Sequence, residues 1–84
     1  MNMKVKIYGR KTGCKFCDTA KQVCEANKFD MEFIDIAEAG IDGVKLAEIC
    51  GQAVRQVPQI FVNEEYVPGG CTGFIDGLRE GRWN

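Results

Sequence analysis

Two cysteines separated by two residues, Cys14-Lys15-Phe16-Cys17, put reactive side chains at a chemically useful spacing. Sulfurs so spaced meet at disulfide distance when the second lies in the first turn of a helix. A thiol at a helix N-terminus faces unpaired amide N–H groups and the positive end of the helix dipole. Both favour the thiolate, the form that attacks a disulfide. Lys11 and Lys15 add positive charge close by. Cys14, the more N-terminal and exposed sulfur, is the expected nucleophile, and Cys17, a turn further in, the thiol that closes onto it. The other use of such a pair is half of a closed zinc site, which needs two more ligands. Cys24, Cys50 and Cys71 stand singly, and Cys24 and Cys50 fall on apolar helix stripes. The chain has no histidine, which excludes Cys-His dyads, imidazole triads and zinc sites of Cys/His type.

The elements that must position this pair follow from the hydrophobic pattern. Lys4 to Tyr8 alternates, with Val5 and Ile7 on one side, and Gly9 ends the run, which predicts a first strand. Phe16, Ala20, Val23 and Cys24 share one face of a helix running to about Lys28. Glu32 to Ile36 is the second strand, so strand, loop, helix and strand form a parallel crossover. Beyond Gly40, Leu46, Ile49, Cys50 and Ala53 make the core stripe of a second helix. Gln59 to Val62 is a short buried strand after Pro58, and Asn63-Glu64 turns it into Glu65 to Val67. Gly69-Gly70 closes that strand, and Thr72 is the expected N-cap of a last helix carrying Phe74, Ile75 and Leu78 up to Gly81. Trp83 either packs on that helix or frays. The order β-α-β-α-β-β-α predicts an α/β fold, a mixed four-stranded sheet with a parallel first unit, an antiparallel last hairpin and helices on both faces.

Eighty-four residues suit one domain, here residues 1–84. The longest apolar run is Ile60-Phe61-Val62, far short of the ~20 residues of a spanning helix, so no membrane partner is expected. Neither a hydrophobic leader over Met1–Lys6 nor the cysteine density of a secreted scaffold is present, so a reducing, cytoplasmic compartment is expected. The five cysteines are odd in number, and one thiol at least must stay free. The formal net charge of −1 hides an asymmetry. Residues 1–28 hold seven basic residues against two carboxylates, the remainder four against ten, or +5 and −6. That balance, without a basic aromatic stripe, argues against nucleic acid and for a small anionic ligand near the N-terminal third.

The stretches Val5-Lys6-Ile7-Tyr8, Lys11-Thr12-Gly13-Cys14-Lys15-Phe16-Cys17, Val57-Pro58-Gln59-Ile60-Phe61-Val62 and Gly69-Gly70-Cys71 together resemble the glutaredoxins of the thioredoxin-fold superfamily. The resemblance covers nearly the whole chain in order and spacing. It implies a thioredoxin-like fold and a monomeric dithiol enzyme that reduces protein disulfides and glutathione mixed disulfides. Glutathione is then the co-substrate and no metal is needed. Residue by residue, Cys14 matches the nucleophile that becomes glutathionylated, Cys17 the resolving thiol, and Lys11 the lysine that pairs with the glycine carboxylate. Phe16 stands where a tyrosine is usual. Val57-Pro58 matches the cis-proline loop that offers backbone groups to the cysteine part of glutathione, and Gln56 precedes it in place of threonine. Gly70, with Gly69, lets backbone approach the ligand, and the Cys71 amide, with Thr72, receives the γ-glutamyl carboxylate at the start of the last helix. Arg55 either reaches the glycine carboxylate or faces water.

The sequence departs from the family pattern in two further places. Lys15 replaces the usual proline after the nucleophile, and Thr72-Gly73 replaces the acidic pair that holds the γ-glutamyl amine. Thr72-Gly73-Phe74 is also similar to the Ser-Gly-Phe of glutaredoxin-like redoxins that serve ribonucleotide reductase and are recharged by thioredoxin reductase. A third reading, of another class, is a module in which two protomers share an iron-sulfur cluster through Cys14 and two glutathiones.

Overall fold

A computed structural model describes residues 3–83; Met1 and Asn2, ahead of the first strand, and Asn84 lie outside the described residues. The elements run β1 (Lys4–Gly9), α1 (Lys15–Ala26), β2 (Asp30–Asp35), α2 (Gly43–Cys50), β3 (Gln59–Val62), β4 (Glu65–Val67) and α3 (Gly70–Glu80). The four strands form one sheet in the order β2-β1-β3-β4. β1 pairs parallel to β2, with Ile7 opposite Phe33, and antiparallel to β3, with Ile7 opposite Ile60. The β3–β4 hairpin pairs Phe61 with Tyr66, and its two turn residues, Asn63 and Glu64, both have positive φ.

Period-two alternation along β1 and β3 sends side chains to opposite faces. Val5, Ile7, Ile60 and Val62 face α1 and α3 and join Ala20, Cys24, Cys71 and Phe74 in the main core. Each fully buried side chain of Phe74 or Ile60 size contributes ~1.5–3 kcal/mol. On the other face Tyr8, Phe61 and Tyr66 meet Leu46 and Cys50 of α2. Tyr8 and Phe61 pack edge to face with centroids 5.9 Å apart. Trp83 folds back onto α3, its ring 5.9 Å from that of Phe74 and against Gly77, where a Cβ would collide with the indole.

The structure corrects five local expectations. α1 stops at Ala26 because the chain turns left-handed at Lys28 and the Phe29 amide bonds the Cys24 carbonyl at 3.0 Å. α2 stops at Cys50, capped by Gly51 at φ +75, so Ala53 lies exposed in the following loop rather than on the helix stripe. Phe16 is 58% exposed and stands off the core face to which its spacing assigns it. Thr72 is not the cap of α3: the helix starts at Gly70 from Gly69 at φ +89, and the Gly73 amide bonds the Gly69 carbonyl at 3.2 Å. The strand β2 also begins two residues early, at Asp30, whose amide bonds Met3.

Asp35, the last residue of β2, joins two loops. Its carboxylate accepts the Ala37 and Glu38 amides at 2.9 and 3.0 Å and the Lys11 amide at 3.0 Å. These bonds, that from Glu38 first, hold the Asp35 carboxyl below its ordinary range. A lowered folded-state value contributes stability above the unfolded value of ~3.9 that is lost as pH falls through the folded one. Asp35→Asn is expected to lower the thermal midpoint at pH 7, and the gap to the wild type to close on acidification below about pH 3. Thermal unfolding of both proteins across pH 2–7 checks this; a gap independent of pH would contradict it.

Candidate active site

The strand β1 ends, the chain loops over residues 10–13, and Cys14 becomes the N-cap of α1, with extended backbone at φ −130° and ψ 97°. Its sulfur takes the role that an oxygen plays at most helix starts: the Cys17 amide N–H donates to Cys14 Sγ at 3.2 Å. The two sulfurs are joined in a disulfide, with the Cα atoms 5.2 Å apart. Cys14 is half-buried and Cys17 fully buried, which separates an accessible sulfur from a sheltered one. Gly9 makes that shelter, since a Cβ there would stand 2.7 Å from Cys17 Sγ.

Facing Cys14 is the loop before β3. The Val57–Pro58 peptide bond is cis, and the Val57 carbonyl oxygen lies 3.9 Å from Cys14 Sγ. The start of α3 closes on the same loop. Gly70 has φ +59, and a Cβ on it would come within 2.8 Å of the Pro58 carbonyl, so backbone meets backbone only because this residue is glycine. Gly73 is equally constrained, with the Pro68 carbonyl occupying the place of a Cβ. The absence of an acidic side chain at position 73 thus has a local steric reason.

Between these pieces lies a cleft of about 500 Å³. Phe16 walls one part, the Gln56, Val57 and Pro58 loop another, and Gly70, Cys71 and Thr72 the start of α3. All the expected ligand-binding positions except Lys11 therefore line one space. Lys11 does not: its ammonium pairs with Glu38 at 2.8 Å, and that bond, with the Glu38 charge, raises the lysine pKa. Arg55 lines the cleft and, among the described residues, takes part in no ion pair. Tyr66, Gln59 and Gln52 also line it, and the sequence reading assigned them no site role. Tyr66 and Gln59 lie on the strands that sequence pattern places correctly, but only the β3–β4 register brings the phenol to the loop. A larger groove of about 620 Å³, between Lys6, Glu32 and Phe61, contains no thiol.

The remaining thiols are buried. Burial pushes Cys24 up to about 11 and raises Cys50 and Cys71. At neutral pH these three are neutral thiols held away from reagent.

Residues 5–67 match the family model described as Glutaredoxin. A glutaredoxin of Haemophilus influenzae is 42% identical over 83 residues, covering 93% of each chain. Glutaredoxin 1 of Escherichia coli is 35% identical over 83 residues, covering 93% of this chain and 95% of that one. The solved structure of oxidised Escherichia coli glutaredoxin aligns with a TM-score of 0.77 at 34% identity, over 92% of this chain and 94% of that one.

After reduction, brief alkylation with iodoacetamide at pH 7 is expected to label Cys14 alone. Cys17, Cys24, Cys50 and Cys71 should label only on unfolding. The rate at Cys14 should persist well below the ~8.5 of an ordinary thiol. Peptide mapping by mass spectrometry reads the outcome, and early label on Cys24 or Cys71 would contradict the burial argument.

Proposed function

Because the chain belongs to the glutaredoxin family, and is thus a thiol–disulfide oxidoreductase, we propose that glutathione is its co-substrate and that the cleft beside Cys14 binds it. The observation that carries this reading is the Cys14 sulfur, 3.9 Å from the Val57 carbonyl, at a cleft whose far wall is a helix start and whose cation is Arg55. A tripeptide with a carboxylate at each end suits such a cleft. Unpaired amides at the N-terminus of α3 favour one carboxylate, and the Arg55 guanidinium the other. The backbone of Val57, which lines the cleft, offers the peptide a partner between them.

In this reaction the Cys14 thiolate attacks one sulfur of a glutathione mixed disulfide. The Cys14 S–S bond forms as the substrate S–S bond breaks, and the target protein leaves as a thiolate that takes a proton from water. A second glutathione thiolate then attacks the glutathione sulfur on Cys14, which releases glutathione disulfide and restores the Cys14 thiolate. One free glutathione thiol is oxidised for each mixed disulfide reduced, and two for each protein disulfide. For a protein disulfide, Cys17 attacks the mixed disulfide instead, leaving the Cys14–Cys17 disulfide for glutathione to reduce. The N-cap geometry assists every step, since the Cys17 amide donates to Cys14 Sγ whether that sulfur attacks or leaves.

Lys15, Gln56 and Thr72 are exposed at positions where backbone supplies the contacts, so their departures from the family pattern leave this chemistry in place. The steric demand of Pro68 at position 73 accounts for half of the missing acidic pair and weakens the case for recharging by thioredoxin reductase. On this reading the working unit is the single domain of residues 1–84, its setting a reducing cytoplasm, and its substrates glutathionylated or disulfide-containing proteins. Ribonucleotide reductase belongs to that class.

Turnover of a small mixed disulfide by the reduced protein, with NADPH as the final donor, tests the proposal. Glutathione with glutathione reductase should support it, and thioredoxin reductase alone should not; the reverse result would assign the chain to the redoxin class. Cys14→Ser is expected to abolish all activity. Cys17→Ser should keep reduction of glutathione mixed disulfides and lose that of protein disulfides, and equal loss from both variants would overturn the glutathionylated intermediate.

A further inference from the structure

Gln59 opens β3 with its side chain toward α2, 6% exposed, in a face otherwise formed by Tyr8, Phe61, Leu46 and Cys50. A buried carboxamide requires partners at both ends. Its Nε2 donates to the Gln56 carbonyl at 2.6 Å, and its Oε1 accepts from the Tyr66 hydroxyl at 2.7 Å. Chemistry fixes the direction of this chain of bonds. A carbonyl oxygen only accepts, so the end of Gln59 facing Gln56 must be the NH2 group. The other end is then the oxygen, and Tyr66 must turn its proton inward to it. Gln52 Nε2, 3.5 Å from the phenol oxygen, donates from outside, and Cys50 Sγ lies 4.0 Å from the same Oε1. Reversing Gln59 would set its oxygen against the Gln56 oxygen.

The far end of this chain is at the reacting sulfur. Gln56 precedes Val57, whose carbonyl stands 3.9 Å from Cys14 Sγ. Among the described residues, no backbone-to-backbone hydrogen bond outside the helices and strands holds residues 53–58. The Gln59 amide thus supplies the hydrogen bond that anchors the loop to the sheet, and Tyr66, on the neighbouring strand, satisfies and holds the oxygen end of that amide. We propose that Gln59 and Tyr66 are positioning residues: together they hold the Gln56–Pro58 loop in register with Cys14, and so set the preference for disulfides that carry a peptide group over those that carry none. This inference rests on the reading of the cleft as a glutathione site.

Tyr66→Phe removes the hydroxyl and keeps the ring; Gln59→Met keeps the length of the side chain and removes both ends of the amide. For each reduced protein, the rate constant of Cys14 attack is measured on glutathione disulfide and on bis(2-hydroxyethyl) disulfide, which has no peptide group. The ratio of the two rate constants is expected to fall about three- to ten-fold in Tyr66→Phe, the effect of one lost hydrogen bond. The Gln56 and Val57 amides should become more mobile by ¹⁵N relaxation, and Gln59→Met should repeat both changes. A ratio within two-fold of the wild type with those amides unchanged overturns the proposal, as does equal loss on both disulfides, the mark of a merely structural role. A wild-type ratio near one is instead the failure of the glutathione reading, and the mobility of the two amides then decides the positioning role by itself.

Discussion

The reactive sulfur of this protein is also the cap of its first helix. Because the Cys17 amide donates to Cys14 Sγ, the geometry that ends the loop and begins α1 is the geometry that stabilises a thiolate. The rest of the fold can be derived from that coincidence. α1 must start where β1 ends, which the parallel β1-α1-β2 crossover ensures. Cys17 must then lie inside the first turn against the sheet, which requires a residue without a side chain at Gly9. The apolar stripe of Ala20 and Cys24 keeps the helix axis fixed over Val5 and Ile7, so the sulfur at its tip cannot drift.

A single sulfur at a helix tip would stand open on every side; here the Val57 loop and the cleft that it lines stand beside it. Two segments distant in sequence meet there, the loop ending in Pro58 and the start of α3, and their contact is between backbones, Pro58 carbonyl against Gly70. The approach depends on Gly70 as glycine and on the loop staying in place. That loop lacks ladder bonds of its own and is held from behind, by a buried amide whose other end is satisfied by Tyr66. The α2 face of the sheet is therefore more than a second core, since its polar residues connect the hairpin register to the edge of the cleft.

Those features differ in how legible they were in the sequence. Alternation in Lys4–Tyr8 and Gln59–Val62 and the helical spacing of Ala20 and Cys24 are consequences of burial on one face, so pattern alone recovers β1, α1, β3 and the sheet that joins them. The Cys14-x-x-Cys17 pair and the Val57-Pro58 and Gly69-Gly70 motifs are short and local, and each was found. The misses share a cause. Ala53 continues the spacing of α2, but a left-handed Gly51 outranks an apolar stripe. Thr72 looks like a cap, yet two consecutive left-handed glycines begin the helix before it. Phe16 has the spacing of a core residue, but at the first turn of α1 that face overlooks the cleft. In each case backbone conformation at a glycine or a helix end overrides periodicity. Tyr66 and Gln59 were invisible for another reason, since their pairing is set by cross-strand register rather than by sequence neighbours.

Charge shows the same limit more sharply. The sequence places a surplus of +5 in residues 1–28 and suggests that lysines draw in an anion. In the fold, Lys11 is bound at 2.8 Å to Glu38, a carboxylate from outside that segment, so part of the surplus is cancelled locally. What lines the cleft instead is backbone at the start of α3, Gly70 to Thr72, with Arg55 across from it and Phe16 of α1 beside it. Backbone amides are fixed by the fold, whereas a lysine is free to be captured by any nearby carboxylate. The side chains of Lys15, Gln56 and Thr72 are exposed, and none of them sets the course of the backbone there. Gly69 and Gly70, both at positive φ, set the backbone at the start of α3, where the partial positive charge is carried by atoms every residue has.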